Sequence, residues 1–197
     1  MQNFWISLAL REARNKNGIE YNKAKLKEYI PTIRSLTIEE PSFFYPKLES
    51  IFVECGISFV LLPYLPKSNI YGVTKWFSKE NVMLAISNRG EKADLFWFTI
   101  FHEISHVLME HRRETLINYH GVDDEEADQM ATDMLIPKKD WEKFISKSNI
   151  SKNDILNFSK EINVLPCIVL GRLHKEKIIP YGMYDNSFSV SYKVTNS

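Results

Sequence analysis

Cysteine is nearly absent: Cys55 and Cys167 are the only two among 197 residues, far apart and in no CxxC pattern. That leaves out a disulfide framework and a thiolate zinc ribbon, and fits two reduced core thiols. Seven glycines and eight prolines are too few for a linker-rich or low-complexity chain. Charge of one sign is also missing, with 25 Lys+Arg against 25 Asp+Glu. A protein whose main task is gripping nucleic acid carries a basic surplus, so direct nucleic-acid binding is not expected. No run approaches the roughly 18 uninterrupted apolar residues of a membrane span. The short apolar stretch at 4–10 lacks the basic leader and small-residue cleavage site of a secretion signal. A cytoplasmic protein with no membrane partner is expected. What is present, 44% hydrophobic and 13% aromatic residues, suffices to core one globular domain.

Hydrophobic spacing gives the elements. Residues 4–38 read as one or two amphipathic helices, broken near Gly18 and Pro31. This N-terminal helical segment, residues 1–40, precedes a main domain over 41–197. A helix over 41–55 buries Phe44, Leu48, Ile51 and Phe52 and ends at Gly56. Three strands follow, at 57–62, 70–77 and 82–87, the last two joined as a hairpin. Asp94 is positioned to cap a helix over 95–110 that is apolar almost all round, and so belongs in the core. An acid-rich start at 123–126 opens another helix, running to Pro137. Helices at 138–147, 151–162 and 166–175 form a C-terminal helical subregion, and 178–194 reads as a loose edge strand. The fold class expected is α+β: a small mixed or antiparallel sheet of about three strands packed on a buried central helix.

That central helix carries His102-Glu103-Ile104-Ser105-His106. Histidines four positions apart stand one turn above each other on one face, so both imidazoles reach a single metal ion. The glutamate between them is placed as a general base acting on water at that metal. Catalytic zinc generally takes three protein ligands, and two imidazoles leave one to be found. The acids Asp123, Asp124, Glu125, Glu126 and Asp128 are the nearby source. Glu125 points away from the apolar face, and helical geometry alone does not choose among Asp123, Glu126 and Asp128. Asp123 with Glu126 also fits a capping box, whose side chains merely satisfy free backbone N–H groups. Asp133 is a candidate partner for a histidine ring, whereas His111 and His174 lack ligand spacing. The stretch 151–175 has a helix-turn-helix outline, but Cys167, Ile168, Val169, Leu170 and Leu173 suit a core better than a DNA groove.

Three blocks of the chain resemble the ImmA/IrrE family of metallo-endopeptidases: 95–108 (LFWFTIFHEISHVL), 126–137 (EADQMATDMLIP) and 168–174 (IVLGRLH). They occur in family order and the likeness spans roughly residues 50–185. The resemblance implies a gluzincin-like zinc peptidase in which His102, His106 and Glu126 hold Zn2+ and Glu103 is the catalytic base. It implies as partner a helix-turn-helix repressor or antitoxin-like protein whose cleavage relieves repression, with toxin–antitoxin genes nearby and a toxin as a further partner. Members are often fused behind a repressor-like domain. No such block precedes the motif here, so the repressor is expected as a separate protein or on a longer parent chain. Tyr119, His120 and Tyr181 are candidate oxyanion donors, and an edge of the 70–87 region is a candidate platform for an extended substrate. The alternative reading is a regulatory module that grips a toxin or repressor without cutting it.

Overall fold

The structure, a computed structural model, describes residues 1–16, 19–111, 115–119 and 124–193. It is an α+β arrangement in which helices enclose a four-stranded sheet. Helix α1 is Gln2–Arg14, α2 Lys23–Ser35 and α3 Pro41–Glu54. Strands β1 (Ile57–Leu62), β2 (Ile70–Trp76) and β3 (Val82–Ser87) follow, then α4 (Ala93–Met109) and β4 (Thr115–Tyr119). The C-terminal third is helical: α5 Glu125–Leu135, α6 Lys138–Ile145, α7 Lys152–Glu161, α8 Pro166–Lys175 and the short α9 Asp185–Phe188.

Strand order is β1-β3-β2-β4. β3 runs parallel to β1, and antiparallel to β2, which pairs antiparallel with β4. The three expected strands are therefore present, with β2 and β3 as the expected hairpin, and β4 is an addition. Both hairpin strands are paired on both sides, so neither offers the free edge suggested for substrate; the edges are β1 and β4.

Alternation along the strands separates two cores. Ile57, Phe59, Leu84, Ile86 and Trp76 face the large core made with α3, α4 and α8. Val60, Val73, Met83 and Ala85 face the other way, where α1 covers them with Trp5, Ala9 and Ala13. The N-terminal segment thus roofs the sheet instead of hanging from it. Three of its lysines are met by acids: Lys16 by Glu49 at 2.6 Å, Lys23 by Glu110 and Lys25 by Glu54, both at 3.1 Å.

Three boundaries differ from expectation. Helix α2 runs through Pro31, held on either side by the fully buried Leu26 and Ile33, whose packing outweighs the roughly 3 kcal/mol a mid-helix proline costs. Helix α4 starts after Lys92 and not at Asp94, which sits in its first turn. The tail forms no strand beyond a single bridge between Lys92 and Ser191. Instead Tyr192 packs on Phe44 and Phe96 and accepts a hydrogen bond from Trp97 Nε1 at 3.2 Å. In the helix-turn-helix outline, Val169 and Leu173 of α8 are fully buried in the large core. No helix among the described residues is long and apolar enough to cross a membrane.

Two positions test this architecture. Gly56 ends α3 at φ +74°, and a Cβ there would collide with the Glu20 backbone. Gly56→Ala should lower unfolding free energy by about 3 kcal/mol or more. Ser151 caps α7 in a reciprocal box with Asp154, so Ser151→Ala should cost only about 1 kcal/mol. Urea titrations of both variants check the ranking; equal effects would mean the close approach at Gly56 is wrongly drawn.

Candidate functional site

Helix α4 serves two neighbours at once. Its successive residues turn about 100° apart, so His102 and His106 share one side while Glu103 faces another. Glu103 points into the sheet and is 0% exposed. The sheet receives it through two residues of β2 that lie on the same strand face. Thr74 Oγ1 donates a hydrogen bond to Glu103 Oε2 at 2.7 Å. Gly72 leaves room for the carboxylate: a Cβ at that position would overlap Oε1. Oε1 itself has no hydrogen-bond partner among the described residues. Burial pushes the Glu103 carboxyl up to about 7, against the opposing influence of His102 and Thr74.

The histidines face α5. Their Nε2 atoms approach to 3.1 Å, with the rings edge to face. On its far side His102 Nδ1 donates to Asp128 Oδ1 at 2.9 Å; a carboxylate only accepts, which places that proton on Nδ1. Burial disfavours a charged His102, but the Asp128 hydrogen bond and the Glu103 carboxylate raise its pKa above the ordinary imidazole value. His106 is driven the other way, down to about 4, by burial and then by the charge of His102. Its Nδ1 is buried without a partner among the described residues.

Small residues let α5 come close. Ala127 and Ala131 are fully buried, and residues 124 and 128, four apart, flank them on one helical face. Asp124 is the N-cap: its Oδ1 accepts from Ala127 N at 3.1 Å, and its Oδ2 lies 3.8 Å from His106 Nε2. Glu126 is about 200° round the helix from Asp124. It is exposed and does not share the face of the histidines, so the third carboxylate carried over by resemblance is not where the rings converge. Glu125 is exposed as well. Asp133 meets Gln129 and Arg172 and not an imidazole. His111 lies nearer than its spacing suggested, its ring 5.6 Å from that of His106. Tyr181 is 76% exposed, and its ring lies 5.0 Å from that of His174. Asp123, His120 and the Tyr119 side chain lie outside the described residues.

The pair satisfies part of what a metal needs. Two nitrogens bound tetrahedrally to zinc stand about 3.3 Å apart, and these stand at 3.1 Å. Imidazole, imidazole and carboxylate are a donor set suited to zinc. As placed, Asp124 is about half an ångström too far to complete it, and no three His, Cys, Asp or Glu among the described residues form a closed metal-holding group. Beside the site, α4, α5 and α8 border a cleft of about 610 Å³, walled by Leu95, Phe98, Leu135 and Ile168 and with Asp128 in its lining. No protein-family model and no curated protein matches the chain.

Gly72 and Thr74 acquire roles here that no motif announced, and Asp128, a candidate third ligand by sequence, instead meets the outer ring nitrogen of His102. Only Asp124 carried a local signal, an Asp three residues before the buried Ala127, which is an N-cap pattern. The fit around Glu103 predicts coupling. Gly72→Ala should destabilise the protein by about 1–3 kcal/mol, and this loss should shrink by more than half when Glu103 is already alanine. Denaturation of the four proteins of that cycle checks it; additive losses would separate Gly72 from Glu103.

Proposed function

We propose that the chain is a zinc-dependent endopeptidase of ImmA/IrrE type that cuts a helix-turn-helix repressor or antitoxin-like protein in the cytoplasm. The observation that carries this reading is the convergence of the His102 and His106 Nε2 atoms on one point, beside a fully buried Glu103. His102, His106 and Asp124 are the residues that would hold the metal. Zinc, when bound there, would polarise the scissile carbonyl and acidify water.

The chain's own groups do the rest. Thr74 holds Glu103 through Oε2 and leaves Oε1 free to take a proton. A carboxyl whose pKa burial has raised to about 7 both accepts and returns a proton near neutral pH. Glu103 would therefore take a proton from water and hand it to the departing amine. Asp128 keeps the His102 ring turned so that Nε2 is its free nitrogen. An extended substrate segment would add to the β4 edge, one strand away from Thr74. The cleft of about 610 Å³ beside Asp128 would take one of its side chains.

Zinc uptake measured against a chromophoric chelator, together with a gel assay on a candidate repressor, tests the reading. Glu103→Gln should keep zinc and lose about 10²-fold or more in cleavage rate. Asp124→Asn should weaken zinc binding about tenfold or more, whereas Glu126→Gln should leave it within about twofold. Wild-type protein that takes up no zinc sinks the proposal. A stable complex with intact repressor would favour the non-cleaving module.

A further inference from the structure

Asp128 uses both oxygens. Oδ1 accepts from His102, and Oδ2 accepts from Lys175 Nζ at 2.6 Å. Lys175 closes α8, 47 residues further along the chain. Its ammonium also sits over the Phe98 ring, 4.9 Å from the centroid, and Phe98 in turn lies beside His102 with ring centroids 6.3 Å apart. Lysine, carboxylate, imidazole and aromatic ring thus close a loop across three helices, with Phe98, Asp128 and Lys175 lining the cleft.

From this we infer that Lys175 is a positioning residue: it pins the Asp128 carboxylate, which fixes the orientation and tautomer of His102. The inference extends the metal-site reading above and rests on it for its significance. The bland account is an exposed ion pair, which contributes little to stability, and the Lys175 side chain is 54% exposed. Geometry separates the two accounts. An ordinary surface pair joins two otherwise free side chains, whereas here the acid is already committed to a buried imidazole. Remove the ammonium, and Oδ2 faces the cleft with only water to hold it. The carboxylate is then free to rotate, and the Nδ1–H form of His102 loses its enforced partner. A residue behind a ligand's own partner should matter less than that partner, whose loss costs 10- to 100-fold in affinity.

The test uses Lys175→Met, Lys175→Arg and Asp128→Ala, with Lys175→Met also placed in the Asp128→Ala background. In the metal-free full chain, nitrogen-15 spectra of the His102 ring are recorded well above the imidazole pKa range. Wild type and Lys175→Arg should show the Nδ1–H tautomer, and Lys175→Met a mixture of both. Zinc titration should then give a dissociation constant about fivefold higher for Lys175→Met, near wild type for Lys175→Arg, and no further loss in the Asp128→Ala background. An unchanged tautomer in Lys175→Met overturns the inference, as does an equal affinity loss with and without Asp128. Should wild type bind no zinc, the peptidase reading fails, while the ring-nitrogen signature still decides the role of Lys175.

Discussion

A carboxylate buried between a helix and a sheet is the constraint around which this fold is arranged. Burying an ionisable group is expensive unless its surroundings are shaped for it. Glu103 is accommodated by one hydroxyl and by a missing side chain, Thr74 and Gly72, on the same face of β2. A glycine within a strand weakens it and leaves a hole in the packing. Here the glutamate fills that hole. The exchange fixes how α4 sits, because rotating the helix by one residue would drive a β-branched or aromatic side chain into the gap.

Once Glu103 faces the sheet, the helical period decides what the histidines face. They must point toward α5, and α5 meets α4 through Ala127 and Ala131. That small-residue contact brings backbone to backbone closely enough for short side chains to reach across. Aspartate suffices at 124 and 128, one beside each ring. A longer acid there would have to fold back on itself. The same period sends Glu126 to solvent.

Much of this was legible in the residues. Periodicity located the three hairpin-side strands, the buried α4 and the C-terminal helices, because each is long and its apolar spacing unambiguous. The stacking of His102 and His106 followed from a four-residue separation alone. The third carboxylate did not follow, since choosing among five clustered acids requires the rotation of α5 against α4, a tertiary quantity. Matching by block pointed to Glu126, and the capping reading fell on Asp123; the packed geometry instead places the Asp124 carboxylate 3.8 Å from His106. β4 escaped because five residues between charged flanks carry too little pattern. The tail misled because its loose alternation reflects single aromatic anchors such as Tyr192, and not a paired strand. Thr74 and Gly72 look like ordinary strand residues until α4 is laid against them.

The charge state of the histidine pair completes the physical picture. With its Nδ1 proton committed to Asp128, a neutral His102 presents a lone pair at Nε2. His106 Nε2 lies 3.1 Å away and would present another. Two lone pairs at that distance repel unless something positive lies between them. A proton on one nitrogen meets the need, and the opposed pKa shifts of the rings, His102 up and His106 down, reflect that they cannot both be charged. A divalent cation meets it better, since it draws on both lone pairs at once. For a cation to enter, that proton would have to leave Nε2, by a shift to His106 Nδ1 in the neutral pair or by loss to solvent in the charged one. Asp128, itself held by Lys175, settles which nitrogen of His102 is left free.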